Sequence, residues 1–524
     1  MLKRIASLFL LLSMLFGLAA CTGGGPGQEP PPCPDGEGPP IDGIPEDRYN
    51  FGGEELTISV RNDYVYEIYA DSTSQEGIDP EIYARNQYTE KRFNFKIKAL
   101  KSLCTGKTDG TTHLEDVTLA LQKNSFKFDV ISMWAYQSGK LVKGMNYLDW
   151  RLQNGDGSYV IPYAAESIAA GEPWWPEKMN TAGNVMGHQY VAISDMCITS
   201  MEMAFAIVYN YDMVTNERLA QTVGDGQYTD LYQVVRAGEW TLDVLYNLVK
   251  DRYHDNPNNA AFGTRDDSDT YGFTFQGAAG LDAFIHSLGF MCIENDGESI
   301  PRLWTVGQTL TTAAEDVVRL CTAQGSVRSK AGEDDVVYRF FTDGHTYFTT
   351  MKLEALRTAT LHGMEDDYGI LPYPKLNKDQ EQYYTGSDDH FNVLSIPLMI
   401  DPARYELVGV AMEALAARTH QEVRWAFCDT LLKTNSTRNL QDEEMIDRIL
   451  DGRVYDLVVY HHADLWIDKS YPDGHLHAFL RVLVFNPGTS VNDYWSRGKD
   501  LLTAGENVEG SLANLIYQYV NMLG

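Results

Sequence analysis

Aromatic rings next to carboxylates are the side chains in this sequence best suited to chemistry, and they occur at a few defined places. Trp134 follows "FDVISM" (128–133), a β-branched apolar run that reads as a buried strand, and Tyr136 lies in the same turn. Open α/β sheets bind ligands outside the carboxyl ends of their strands, so this indole is placed either to stack on a ligand or to fill a core. Trp174 and Trp175, flanked by Pro173 and Pro176, put two indoles in a loop. They offer either a stacking platform for the apolar face of a sugar or the packing of a lid. Asp195 follows the strand "QYVAIS" and can accept hydroxyl hydrogen bonds or cap a backbone N–H. Tyr271, Phe273 and Phe275 alternate ahead of a glycine-rich turn; for the two phenylalanines the core is the expected place. "TYFTTMK" (346–352) offers Tyr347 and Lys352, and "GSDDHFN" (386–392) offers Asp388, Asp389 and His390.

Other chemistries find less support. A glycosidase needs two carboxylates at a set separation, and no spacing among the acids singles out a pair. There is no Gly-x-Ser-x-Gly elbow, no P-loop and no His-Glu-x-x-His. His461, His462, Asp464, His475 and His477 fall within 17 residues and could form a zinc set. With no longer His-rich run, exposed histidines are the expected reading, and neither a metal nor a cofactor is expected. The remaining alternatives to a binding protein are a secreted glycan-processing enzyme and a metal-binding receptor using the His461–His477 region.

The elements that must position these groups come next. The chain has 524 residues, 44% hydrophobic and 22% charged, enough for two or three cores. Its 73 acidic residues against 42 basic ones give a formal charge of −31, which argues against nucleic acid and anionic lipid surfaces as partners. Lys3 and Arg4 precede a short apolar run, Ile5–Leu18, too short to span a bilayer as a mature helix. Residues 1–20 therefore read as a signal peptide, and 21–52, rich in Gly, Pro and Glu, as a disordered linker. Beyond it, strands such as "ELTISV" and "FNFKIKAL" alternate with helices such as "LEDVTLALQKN", the pattern of an α/β fold. "WTLDVLYNLVKDRY" has Thr241 as N-cap, Asp243 in the first turn, and Leu242, Leu245, Leu248 and Val249 on one face. "DPARYELVGVAMEALAART" opens with Asp401 as cap and Pro402 at the first helical position. Of seven cysteines none is in a C-x-x-C pair. Zinc-ribbon and thioredoxin-like readings therefore fail.

Leu18-Ala19-Ala20-Cys21 resembles the lipobox of bacterial lipoproteins, which implies diacylglyceryl and palmitate-type acylation of Cys21. In order along the chain, "ELTISV", "FDVISMWAYQSGKLVKGMNYLDW", "MGHQYVAISDMCITSMEMAFAIVYNYDMV", "AGEWTLDVLYNLVKD", "FFTDGHTYFTT" and "DYGILPYPKLNKDQEQYY" resemble the extracellular solute-binding proteins of ABC importers. The resemblance is to the carbohydrate-binding family 1 that includes maltose-binding protein. It implies a two-lobed α/β fold of the periplasmic-binding-protein type II, with lobe 1 at 53–197 plus 393–470 and lobe 2 at 198–392 plus 471–524. It implies a non-enzymatic monomer, lipid-anchored outside the bacterial cell membrane, that captures a sugar or related solute between its lobes. ABC permease transmembrane subunits would be its partner. Trp134 matches the family's stacking aromatic, and with Tyr136, Trp174, Trp175, Asp195, Tyr271, Tyr347 and Asp388 makes up the expected ligand-binding set. The body is larger than maltose-binding protein, which implies lengthened loops.

Overall fold

The run Glu54–Val60 buries its last five residues without alternation, as a strand covered on both faces must. In the computed structural model, which describes residues 41–494 apart from 75–76, 103–109, 259–264, 305–306, 330–333, 358–360, 362–363, 433–439, 463–464, 468–470, 472 and 487, this run is strand β1. It is followed by α1 (Asp79–Phe93), with Asp79 and Glu81 in the first turn, Lys91 and Arg92 in the last, and Asn94 closing the helix in the left-handed region at φ 50°. Strand β2 (Phe95–Lys101) buries Phe95 and Ile97 and exposes Lys96 and Lys98, as suits a sheet edge. Phe93, grouped in sequence with that alternation, closes α1 instead. Next come α2 (Gly110–Gln122), β3 (Val130–Trp134), α3 (Ala135–Lys143) and the short β4 (Tyr147–Leu148).

The chain then builds a second sheet from β5 (Phe205–Asn210), β6 (Tyr253–His254), β7 (Thr270–Phe275), β8 (Ser326–Arg328), β9 (Thr346–Lys352) and β10 (Tyr368–Leu371). Its strand order is β8-β7-β9-β5-β10, with β6 paired to β7. Strands β7, β8 and β9 run parallel, whereas β5 runs antiparallel to both β9 and β10. Helix α4 (Leu242–Val249) covers part of it: Thr241 Oγ1 accepts the Val244 N–H at 3.4 Å, and Leu242, Leu245, Leu248 and Val249 are its buried face. Helix α5 (Ala279–Ser287) lies beyond β7. Phe273 and Phe275 stack 5.5 Å apart with no exposed surface, so this face of β7 is core.

Strand β11 (Asn392–Pro397) returns to the first sheet, whose order is β2-β1-β3-β11-β4. It pairs antiparallel with β3, setting Asn392 opposite Trp134. Asp401 accepts the Ala403 N–H at the start of a short 3-10 turn, and helix α6 (Tyr405–Arg418) follows, packing Leu407, Val408, Ala411 and Leu415 into the core of β1 and β11. Helix α7 (Leu440–Asp451), within the span expected for the first lobe, packs Ile446 and Ile449 with Val208 and Ile370 of the second sheet. The chain then runs through α8 (Val458–His461), seated on α3, to α9 (Phe479–Phe485), seated on α5. Gly139 of α3 permits the first contact, since a Cβ there would lie 1.9 Å from the Tyr460 carbonyl oxygen.

Two segments join the sheets side by side. Ala192 and Leu394 exchange backbone hydrogen bonds of 2.9 and 2.8 Å, and the Asp388 N–H donates to Met203 O at 3.0 Å. The stretches 192–204 and 387–394 thus run antiparallel between the two sheets. Among the described residues no helix is long and apolar enough to cross a membrane, and Cys197, Cys292, Cys321 and Cys428 are free thiols. Cys21, the signal segment, residues 21–40 of the expected linker and Cys104 lie outside the described residues; the rest of that linker is packed, with Ile44 and Tyr49 buried and Asp42 paired with Arg92.

Candidate functional site

Trp134 ends β3 and caps α3, with the Ala135 N–H donating to Phe391 O at 2.9 Å, so the strand pairing with β11 fixes where the indole points. The Arg61 guanidinium lies 3.6 Å from its ring centre. Tyr64 and Tyr136 flank it at 6.1 and 5.7 Å, and His390 meets it edge-on at 4.7 Å. Only 2% of Trp134 is exposed, and its Nε1–H lies beside the Tyr64 hydroxyl without a well-aligned hydrogen bond among the described residues. A buried donor without a well-aligned partner costs up to about 1–3 kcal/mol.

Polar groups gather around this aromatic wall. Asp388, buried on the second connecting segment, lies 3.5 Å from Lys352 at the carboxyl end of β9 and also meets His390. Burial opposes the charged forms here, but Lys352 and His390 hold the Asp388 carboxyl below the usual carboxylate range. Asp389 sits 3.0 Å from His390 and 2.7 Å from His462, and is also held low. The two carboxylates outweigh the burial of His390 and push its imidazole up to about 10. His462 stacks on Tyr136 at 5.1 Å. Burial pushes His475 down to about 4, and His477 well below its ordinary value, so both are neutral rings. The histidines of 461–477 are therefore not solvated surface groups, the reading expected from sequence: His461 is buried, and His462, His475 and His477 are half-buried by the packing of α8 and α9. Asp464 lies outside the described residues.

Glu67 and Tyr66 reach both connecting segments. Glu67, in the turn after β1, accepts the Thr199 N–H at 2.6 Å, the Thr199 hydroxyl at 2.7 Å and the Asn392 amide at 2.6 Å. Burial raises its carboxyl to about 7 although these donors pull it down. Tyr66 donates to Glu202, which also pairs with Arg357 at 2.6 Å.

The structure gathers Trp134, Tyr136 and Asp388 and places the other expected residues elsewhere. Trp174 and Trp175 both donate from Nε1 to Glu413 of α6, at 2.9 and 2.8 Å; Trp175 has no exposed surface and Trp174 is half-buried. Asp195 is fully buried beneath His420 (2.5 Å), Arg453 (3.4 Å) and Arg424 (3.7 Å). His420, Arg424 and Arg453 line a separate cavity of about 680 Å³ with Lys178 and Trp425. Tyr271 and Tyr347 stand near the starts of β7 and β9, with Tyr347 at the opposite end of its strand from Lys352. Tyr271 donates to Asp266 O at 3.0 Å and Tyr347 to Glu217.

Arg61, Tyr64, Tyr66, Glu67 and Glu202 were not among the expected residues, and His462 was expected only as an exposed histidine or as part of a zinc set. Arg61 to Glu67 directly follow β1, so the strand-end rule that pointed to Trp134 applied to them as well. Glu202 carried no local signal.

No protein-family model and no curated protein matches the chain. Solved structures do. A cyclo/maltodextrin-binding protein complexed with maltotetraose is similar over 87% of this chain and 99% of its own, with a TM-score of 0.50 at 13% identity. The galacto-N-biose-/lacto-N-biose I-binding protein of the ABC transporter from Bifidobacterium longum, in complex with lacto-N-biose, covers the same shares with a TM-score of 0.50 at 10% identity. A sugar transporter from Rhizobium etli in an open conformation matches 86% of this chain and 99% of its own, with a TM-score of 0.51 at 12% identity. The chain thus has the two-lobed α/β fold of solute-binding proteins of ABC transporters. Two of these structures are named as sugar-binding proteins and the third as a sugar transporter.

Proposed function

We propose that this protein is the lipid-anchored substrate-binding component of an ABC transporter, capturing a mono- or oligosaccharide between its two lobes and delivering it to the permease. The observation that carries this reading is Trp134, a buried indole whose N–H has no well-aligned hydrogen bond, walled by Tyr64 and Tyr136 and set beside Asp388, His390 and Lys352 where the connecting segments meet. Aromatic faces suit the C–H surfaces of a pyranose, and carboxylates, imidazolium and ammonium groups suit its hydroxyls. Closure of the lobes would bury the ligand and present a distinct form to the permease. The sugar ligands of the similar structures, and Leu18-Ala19-Ala20-Cys21 with the linker after it, support the solute class and the anchor respectively. A thermal-shift screen over mono- and oligosaccharides tests the reading. Ligand at a hundredfold its Kd adds about 2.7 kcal/mol of stability, so at least one glycan should raise Tm by a few degrees. A flat response across the screen would end the carbohydrate assignment.

A further inference from the structure

We propose that Asp389, His462 and His477 form a binding site for one divalent transition-metal ion of the zinc type. The three residues come from separate parts of the chain. Asp389 is on the second connecting segment, His462 directly follows α8, and His477 lies in the 3-10 turn Leu476–Ala478 that leads into α9. Folding brings one ligand atom from each to within 4.8 Å of the others. The His462 and His477 rings are 4.8 Å apart, and His462 Nδ1 lies 2.7 Å from Asp389 Oδ2. A tetrahedral zinc with bonds of about 2.0–2.2 Å spaces its donors roughly 3.4 Å apart, so side-chain rotations would complete the set.

Two imidazoles and a carboxylate are the donor set of a zinc site with one position left for water. His477 Nδ1 is shielded from solvent and has no hydrogen-bond partner among the described residues. His475, whose ring is 5.6 Å from His477, is otherwise engaged, its Nδ1 bonded to the His462 carbonyl at 2.9 Å. A small cavity lined by Asp282, His286, Cys292, Asp389, His477 and Arg481 opens beside the cluster. The formal charge of −31 raises the local concentration of cations. A bound ion would tie the segment running from α8 to α9 onto the connecting segment, against the Tyr136 ring that stacks on His462.

The test uses the full chain without a histidine tag, stripped with chelator and dialysed against Zn²⁺ alone, with no sugar present. Metal content is read by plasma emission spectrometry and affinity by competition with a chelating dye. One zinc per chain is expected, with affinity lowered about a hundredfold or more in His462→Gln and in His477→Gln. His345→Gln, in a residue whose Nδ1 faces the Asp269 carbonyl away from the cluster, should bind as the wild type does. Circular dichroism confirms that each variant is folded, and Asp389→Asn supplies a third independent ligand change. Absence of stoichiometric zinc overturns the proposal, and so does zinc binding that all three ligand variants retain. Because the assay contains no sugar, either result leaves the solute reading to be judged separately.

Discussion

Glu67 should make the protein's stability depend on pH in a direction opposite to ordinary acid denaturation. Its carboxylate is buried and ties the turn after β1 to both connecting segments through Thr199 and Asn392. Burial raises its pKa from 4.5 to about 7. Between those values the folded state holds a proton that the unfolded chain has released, so stability falls as pH rises. The contribution is complete below about 4.5 and has been lost above about 7. At roughly 1.4 kcal/mol per decade this amounts to about 3 kcal/mol.

Glu67→Gln removes the titration while keeping the shape. Its amide oxygen can still accept from Thr199. Its NH₂ would face the Asn392 NH₂ unless that side chain flips and offers Oδ1, which has no partner among the described residues. The variant should therefore be less stable than wild type at pH 5, by about 1–3 kcal/mol for one mismatched buried donor. The gap should narrow or reverse by pH 8. Urea unfolding followed by tryptophan fluorescence at pH 5, 6, 7 and 8 measures the difference directly. A constant difference between the two proteins across that range would refute the placement of Glu67 as a buried, titrating staple. Glu413, also raised to about 7 by burial, slopes the same way in both proteins and cancels in the comparison.

Two further outcomes follow from packing and charge. Gly139→Ala should cost about 1–3 kcal/mol or detach α8 from α3, because the new Cβ meets the Tyr460 carbonyl; limited proteolysis near 452–478 should speed up, and an unchanged cleavage pattern would contradict that contact. Asp195→Asn should cost about 3–5 kcal/mol in urea unfolding by removing the carboxylate that the buried Arg453 faces, with Arg424 and His420 beside it. Burial works against the Asp195 carboxylate, but His420 and the two arginines outweigh it and hold the carboxyl low. The wild-type advantage over this variant should therefore persist at neutral pH and fade as pH falls through the acid range.

Much of the fold was legible because its signals are local. Thr241 followed by Leu242, Leu245, Leu248 and Val249 fits one amphipathic helix and little else, and "FDVISM" could only be a buried strand. The indole at the end of that strand was legible for the same reason, since strand direction is read from sequence order. Trp174 and Trp175 resisted because the group that fixes them, Glu413, arrives on a helix far along the chain. Asp195 looked like a hydroxyl acceptor because its arginine partners lie beyond the second sheet in sequence. Tyr271 and Tyr347 carried the right side chains near the strand ends away from Lys352, a distinction that needed the strand boundaries. The meeting of Asp389 with His462 and His477 depends on α8 and α9 folding back over the connecting segments. Periodicity records nothing of such long-range contacts.

The central claim, a sugar held against Trp134, is tested most directly by isothermal titration of the best glycan from the screen into wild type and Trp134→Phe. Phenylalanine keeps an aromatic ring and loses the Nε1–H. The account predicts a single site in the wild type, and an affinity lowered by tenfold or more in a variant that still folds, about the 1–3 kcal/mol of one unmade buried hydrogen bond. Equal affinity in the two proteins would contradict it.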